Sequence, residues 1–218
     1  MSAVQLKMLK VLVFAACLAP AVWLGWRLYQ SLRGGDQLGP DPTATVTFFT
    51  GRATLRLLVI SLAITPVRRL STRLAWLIRF RRMLGLFAFF YGCLHLLTYV
   101  ALYANFDLHA MKADILHRRF ILAGLVAWGL MVPLALTSTK WAIRKLGGKR
   151  WQALHRIVYV SAVAAVVHYW WKVKPGDRTP LQITIILAIL LLARLVYTWR
   201  SKFPSTPPPQ KVPLTGAA

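Results

Sequence analysis

The sequence predicts an all-α membrane protein built as a bundle of six transmembrane helices. Of its 218 residues, 57% are hydrophobic, which is well above the average of a soluble domain. The apolar residues form blocks of about 17–22 residues, long enough for a helix to cross a ~30 Å hydrocarbon layer. Cationic side chains cluster between these blocks, and no length remains for a second folded domain.

The six blocks follow one another with short connections. The first ends in three aromatic residues that favour the membrane interface and lacks a convincing cleavage site, which indicates an uncleaved span. Thr50 is expected to cap the second span after a loop rich in Gly, Pro and Asp over residues 31–49. The Pro-rich residues 201–218 are expected to form a disordered tail. The predicted spans cover residues 8–29, 50–67, 83–103, 118–137, 151–171 and 181–199.

The net charge of +23 could indicate binding to nucleic acid, but its distribution argues against that class of partner. The cations lie where the positive-inside rule places them, between the apolar blocks. Residues 68–82 contain six arginines and no acid, and residues 138–150 are basic again. Because these segments follow the second and fourth spans, we predict that both termini are cytoplasmic. The lipid bilayer is the expected partner of this charge, and no nucleic acid is expected.

Several common cofactor motifs are missing from the sequence. It has two cysteines, Cys17 and Cys93, both inside apolar blocks, so it contains no disulfide framework and no CxxCH motif for covalent haem. It also lacks an HExxH zinc motif and a glycine-rich nucleotide loop. The spans contain no Asp or Glu, which argues against a proton or cation transporter.

Three histidines lie inside predicted spans, and their depths in the membrane decide which of them can bind the same group. His95 in the third span and His168 in the fifth lie ~18 Å and ~26 Å from the inner ends of two outward-running helices, whereas His155 lies only ~6 Å from the inner end. Imidazole in a membrane needs a partner, and haem iron fits. We therefore predict a b-type haem held by His95 and His168. His155 has no histidine at its own depth and would be the ligand of a second haem, so the number of haems, one or two, stays open.

Basic residues near these sites are further candidates. Arg52 and Arg56, in the first two turns of the second span, either extend to the interface or contact haem propionates. Seven other cations are predicted to form a cytoplasmic docking surface for an acidic reductase or a flavin phosphate. They are Arg79, Arg81, Arg82, Arg144, Lys145, Lys149 and Arg150.

Motifs spread from about residue 8 to residue 200 resemble those of the MsrQ (YedZ) family, haem-binding membrane subunits of bacterial periplasmic methionine sulfoxide reductase systems. This family belongs with the ferric reductase-like transmembrane proteins. The motifs are TGRATL (50–55), TPVRR (65–69), RRMLGL (81–86), LHLLTY (94–99), LTST (136–139), RKLGGKRWQALHRIVYV (144–160) and HYWWKVK (168–174).

The resemblance implies a cytochrome of the bacterial inner membrane that takes electrons from the quinone pool or a cytoplasmic flavin reductase. It passes them to MsrP, a periplasmic molybdopterin enzyme that reduces methionine sulfoxide in oxidised proteins, so no sulfoxide chemistry is expected in this chain. The resemblance places the family's haem ligands on His95, His155 and His168 and implies FMN as a second cofactor. Two alternatives stay open: a stand-alone cytochrome b561-like quinone or ferric reductase, and a non-redox transporter or scaffold.

Overall fold

The computed structural model describes residues 2–173 and 176–202, and these residues are helical apart from short connections. The predicted tail lies outside the described residues from residue 203 onward. A short 3₁₀ helix over Thr72–Leu77 precedes the third α-helix, and a π-helical turn over Tyr99–Tyr103 follows it. The α-helices of the described residues are α1 (Ala3–Leu32), α2 (Pro42–Leu70), α3 (Ile78–Thr98), α4 (Leu108–His117), α5 (Arg119–Leu136), α6 (Lys140–Leu146), α7 (Gly148–Leu154), α8 (Ile157–Lys172) and α9 (Thr179–Lys202).

Five helical segments within the described residues are long and apolar enough to cross a membrane, which indicates a multi-pass membrane protein. They are α1, α2, α3 with its flanking turns, α5 and α9. The predicted fifth span is interrupted at His155 and Arg156, so that α7 and α8 are separate helices. The 16 residues of α8 measure about 24 Å, less than the ~30 Å of a hydrocarbon layer. Six spans and cytoplasmic termini therefore stay predictions.

The second helix begins at Pro42, not at Thr50, and the prediction that Thr50 caps it is wrong. The carboxylate of Asp41 accepts a hydrogen bond from the Ala44 N–H at 2.8 Å, and a proline in the first turn completes a strong start signal. Thr50 is buried inside the helix, where its hydroxyl donates to the Val46 carbonyl at 2.9 Å. Because α2 begins earlier than predicted, it extends past the level of His95 on the neighbouring helix α3.

The core forms where α2 packs against α3, α8 and α9, and where α5 packs against α8. Hydrogen bonds from buried side chains join the helices: Ser161 of α8 donates to the Ala127 carbonyl of α5 at 2.8 Å. Tyr91 of α3 donates to the Cys17 carbonyl of α1, also at 2.8 Å. Close packing and such bonds hold helices together where lipid surrounds them, because burial from water contributes little between membrane helices.

Arg194 of α9 points into the bundle and completes the hydrogen bonding of α2. Pro66 lies inside α2 and has no N–H, so the Leu62 carbonyl one turn earlier lacks its helical donor. The Arg194 guanidinium donates to this carbonyl through Nη2 and to the Tyr159 hydroxyl through Nη1. One side chain therefore joins α9 to α2 and α8.

We expect Arg194→Met to lower the free energy of unfolding by about 1–3 kcal/mol, because the buried Leu62 carbonyl loses its donor. In a Pro66→Ala background the same change should cost less, since the new amide N–H can pair with that carbonyl. Denaturation of the detergent-solubilised protein, followed by circular dichroism, measures both costs. Arg200→Met, an exposed change on the same helix, is the control. An equal cost of Arg194→Met in both backgrounds would contradict the role of the carbonyl.

Candidate haem site

A cavity of about 210 Å³ lies between α2, α3, α5 and α8. Its walls are mostly apolar, with Leu55, Leu58, Trp128 and Met131 among them. Two imidazoles enter it from opposite sides, and basic and phenolic side chains surround its mouth. A large apolar cavity with a few convergent polar groups is the usual form of a cofactor site.

The imidazoles of His95 on α3 and His168 on α8 face each other across this cavity. Their ring centres are 5.9 Å apart, and the ring planes meet at 79°. Metal–imidazole bonds are about 2 Å long, so two rings on one metal ion have centres roughly 6 Å apart. The separation therefore matches a pair of imidazoles that share a single iron.

The outer nitrogen of each ring is held by the backbone. His95 Nδ1 lies 3.0 Å from the Thr47 carbonyl oxygen, and His168 Nδ1 lies 2.6 Å from that of Phe120. Because a carbonyl only accepts hydrogen bonds, each Nδ1 must carry the proton, which leaves Nε2 free as a ligand. Metal-binding histidines are commonly oriented in this way by a backbone carbonyl.

Two glycines make room for these rings. A Cβ at Gly51 of α2 would lie 3.0 Å from His95 Cε1, and a Cβ at Gly124 of α5 would lie 2.8 Å from His168 Nδ1. Each imidazole therefore rests directly on the backbone of a neighbouring helix. Sequence reasoning missed both residues. The available signal was a glycine within an apolar helix, which costs about 1 kcal/mol relative to alanine and so suggests a packing reason.

Arg52 lines the cavity at its mouth, whereas Arg56 is exposed and does not line it. Arg52 Nε donates to the Tyr169 hydroxyl at 3.3 Å, and Nη2 lies 3.6 Å from a carboxylate oxygen of Asp177. Hydrogen bonds from Thr179 and, to a smaller extent, the charge of Arg52 hold the pKa of Asp177 below its ordinary value. An aspartate thus holds the guanidinium at the rim of the cavity.

Two further cations line the same mouth and were not singled out from the sequence. Arg118 Nε lies 2.9 Å from a carboxylate oxygen of Asp114, and the Lys172 ammonium lies 5.1 Å from the ring centre of Phe120. Both residues flank predicted spans at the end where His168 lies, so depth counting could have found them. Three cations at one mouth are well suited to the carboxylates of a haem.

His155 lies outside this cavity, in the turn between α7 and α8. Its ring stacks on the Trp151 indole with centres 3.9 Å apart, and its Nε2 lies 3.1 Å from the Thr137 hydroxyl. The Trp151 indole N–H donates to the Thr137 carbonyl at 2.9 Å. The structure therefore brings His95 and His168 together but leaves His155 at a separate place.

The seven predicted docking cations lie on two adjoining segments, which we call the basic surface. Three belong to the start of α3, and four belong to α6 and α7. Arg82 joins the segments, because its Nη1 donates to the Ser138 carbonyl between α5 and α6 at 3.4 Å. Six of the seven side chains are exposed, and Arg81 is half-buried.

Comparison with known proteins identifies a family and close relatives of this chain. The family of the ferric reductase like transmembrane component matches residues 50–166. A relative from Herminiimonas arsenicoxydans is 46% identical over 91% of this chain and 89% of its own length. The corresponding values are 49%, 86% and 87% for a relative from Rhodospirillum rubrum. They are 46%, 94% and 87% for one from Azospira oryzae.

All three relatives are named protein-methionine-sulfoxide reductase heme-binding subunit MsrQ. The alignments cover most of each protein, and the family match includes both His95 and His155. The chain belongs to the ferric reductase-like transmembrane family and, within it, to the MsrQ haem-binding subunits.

Proposed function

We propose that the chain is a b-type cytochrome that carries electrons across the bacterial inner membrane for methionine sulfoxide reduction. The observation that supports this most is the pair of imidazoles 5.9 Å apart, each with Nδ1 on a backbone carbonyl. A haem bound there supplies a one-electron redox centre. With both imidazoles as ligands, such a haem would be suited to electron transfer and not to chemistry on a bound substrate.

Different residues of the cavity would bind different parts of such a group. His95 and His168 would offer Nε2 to the iron, while Arg52, Arg118 and Lys172, which line the same cavity, would offer positive charge to the propionates. The apolar walls exclude water and lower the local dielectric, and both effects tune a redox potential. The side chains thereby position and tune the cofactor.

We further propose that the basic surface faces the cytoplasm and the cavity end faces the periplasm. Electrons would enter from the quinone pool or from a cytoplasmic flavin reductase, whose acidic surface the basic surface attracts. They would leave to MsrP, the periplasmic molybdoenzyme that reduces methionine sulfoxide in oxidised proteins. The names of the relatives support the link to methionine sulfoxide, because each is called a subunit of that reductase.

A reconstituted system tests this function. The purified, haem-supplied protein should show the α-band of a b-type cytochrome in a reduced-minus-oxidised spectrum. In proteoliposomes with an internal electron donor, it should support reduction of a methionine sulfoxide substrate by added MsrP. A protein without the α-band would refute the cytochrome. Sulfoxide reduction that proceeds equally without this chain would favour the stand-alone quinone or ferric reductase instead.

Haem content per chain separates one site from two. We expect His155→Ala to retain one haem per chain, because the cavity of His95 and His168 forms without it. A wild-type protein with two haems that falls to one in this variant would make His155 the ligand of the second haem. Loss of all haem would show that haem binding by His95 and His168 depends on His155. Flavin analysis of the same preparation tests the FMN that the resemblance implies.

A further inference from the structure

The acidic side chains of this chain are all at one end of the bundle. The sequence has five acidic residues, which lie in the connections between helices or within the short helix α4 at the cavity end. They are Asp36, Asp41, Asp107, Asp114 and Asp177. The opposite end, which we call the arginine-rich end, carries residues 68–82, 138–156 and 194–202, and these segments contain no acid. No acidic side chain of the protein is therefore available to pair with the cations of this end.

Two arginines of this end lie at one face of α9. Arg194 is held inside the bundle by its bonds to the Leu62 carbonyl and the Tyr159 hydroxyl. Arg69, near the end of α2, places its guanidinium 3.5 Å from the ring centre of Tyr197. Tyr197 follows Arg194 by three residues, so both lie on one face of α9. The contacts bring Arg69 and Arg194 to the same side of the helix.

A third arginine of this end, Arg81, belongs to α3. The Arg81 carbonyl accepts a hydrogen bond from the Ser61 hydroxyl at 3.1 Å, and Ser61 directly precedes Leu62. The backbone of Arg81 therefore packs against α2 at the residue before Leu62, whose carbonyl Arg194 contacts. The charges of Arg81 and Arg69 both act on Arg194. Like charges repel each other, and the repulsion grows where water is excluded.

Hydrogen-bond donors at this end also lack acceptors. Within the described residues, the Nε atoms of Arg194 and Arg68 are buried and have no hydrogen-bond partner. A buried donor without an acceptor costs about 1–3 kcal/mol. An oxygen-rich anion at this end would offset the repulsion among the guanidiniums.

We propose that Arg69, Arg81 and Arg194, from three different helices, form a binding site for a phosphate-bearing anion at the arginine-rich end. Arg69 and Arg81 would present their planar guanidinium forks to the oxygens of a phosphate, whereas Arg194, whose Nη atoms already bond the Leu62 carbonyl and the Tyr159 hydroxyl, would add positive charge. Arg194 lies eight residues before the end of α9, about 12 Å along its axis, so the site lies near the end of a membrane span. The phosphate can come from the headgroup of an anionic phospholipid or from free phosphate in solution.

The first arm of the test uses the full-length protein in nanodiscs of phosphatidylcholine with added phosphatidylglycerol. Native mass spectrometry should show phosphatidylglycerol retained by the wild-type protein. Arg69→Gln and Arg81→Gln should each weaken this retention about tenfold, the effect of losing one charge-assisted bond pair. Arg150→Gln removes the same charge from an exposed position on α7 and should leave retention unchanged. Arg69 is exposed, so its variant keeps the test valid even where Arg81→Gln fails to fold.

The second arm replaces the lipid with inorganic phosphate in nanodiscs of pure phosphatidylcholine. A rise in unfolding temperature with phosphate that disappears in Arg69→Gln and Arg81→Gln, but not in Arg150→Gln, would support the site with a soluble ligand. Retention of phosphatidylglycerol without this rise would support it with a lipid. Binding of neither probe overturns the proposal. An equal loss in the Arg150→Gln control also overturns it, because the effect would then come from overall charge.

Discussion

His95→Ala and His168→Ala are each expected to remove haem from the purified protein. The cavity offers one imidazole from each side, so either change leaves iron with a single protein ligand. Loss of an outer hydrogen-bond partner alone typically weakens metal binding by 10–100-fold, so we expect loss of the ligand itself to exceed about 100-fold. The measurement is haem per chain after purification in haem-supplied medium, with the reduced-minus-oxidised spectrum.

His109→Ala and His117→Ala are the matched controls. Both histidines are exposed on α4, at the same end of the bundle as the cavity, and neither lines it. These variants should keep the wild-type haem content. Full haem content in His95→Ala or His168→Ala would refute the ligand assignment, provided that circular dichroism shows the wild-type helix content.

Gly124→Ala is expected to disturb the site nearly as strongly, although glycine binds nothing. The added Cβ would lie 2.8 Å from His168 Nδ1, closer than side-chain contacts allow. The ring must move, and its 2.6 Å hydrogen bond to the Phe120 carbonyl must stretch or break. Because that bond orients the ligand, we expect haem affinity to fall by about 10–100-fold. Gly51→Ala should act in the same direction but less, since its Cβ would lie 3.0 Å from His95 Cε1.

Gly129→Ala provides the control on the same helix. Nothing lies within 4 Å of a Cβ at this position, so no ring has to move. The variant should keep its haem and gain up to about 1 kcal/mol of stability, the difference between alanine and glycine within a helix. Titration of the purified apoprotein with haem measures the affinity of each variant. Equal affinity in Gly124→Ala and Gly129→Ala would show that the contact at His168 is unimportant.

The predicted helices agree with the structure best where apolar blocks have clear ends. The fourth predicted span, residues 118–137, corresponds to α5 over Arg119–Leu136. The start of α2 was misplaced, because the apolar block begins after the residues that start the helix. Its true signal, Asp41 followed by Pro42, lies in a segment that composition marks as a loop. The break at His155 has no comparable signal in the sequence. No proline precedes it within α7, and Gly147 and Gly148 lie at the start of that helix.

By itself, the sequence determined the class of the protein and the approximate depth of its histidines along their helices. Depth follows from a constant rise per residue, so His95 and His168 could both be placed towards the same end of their helices, away from His155, before any contact was known. Only the tertiary structure decided how each helix is rotated and which neighbour it meets. That rotation places Gly51 and Gly124 against the imidazoles and Lys172 at the mouth of the cavity. It also places Arg194 against the Leu62 carbonyl, which Pro66 leaves without a helical donor. Rotation depends on close packing among distant segments, and the apolar pattern of each span is too uniform to specify it.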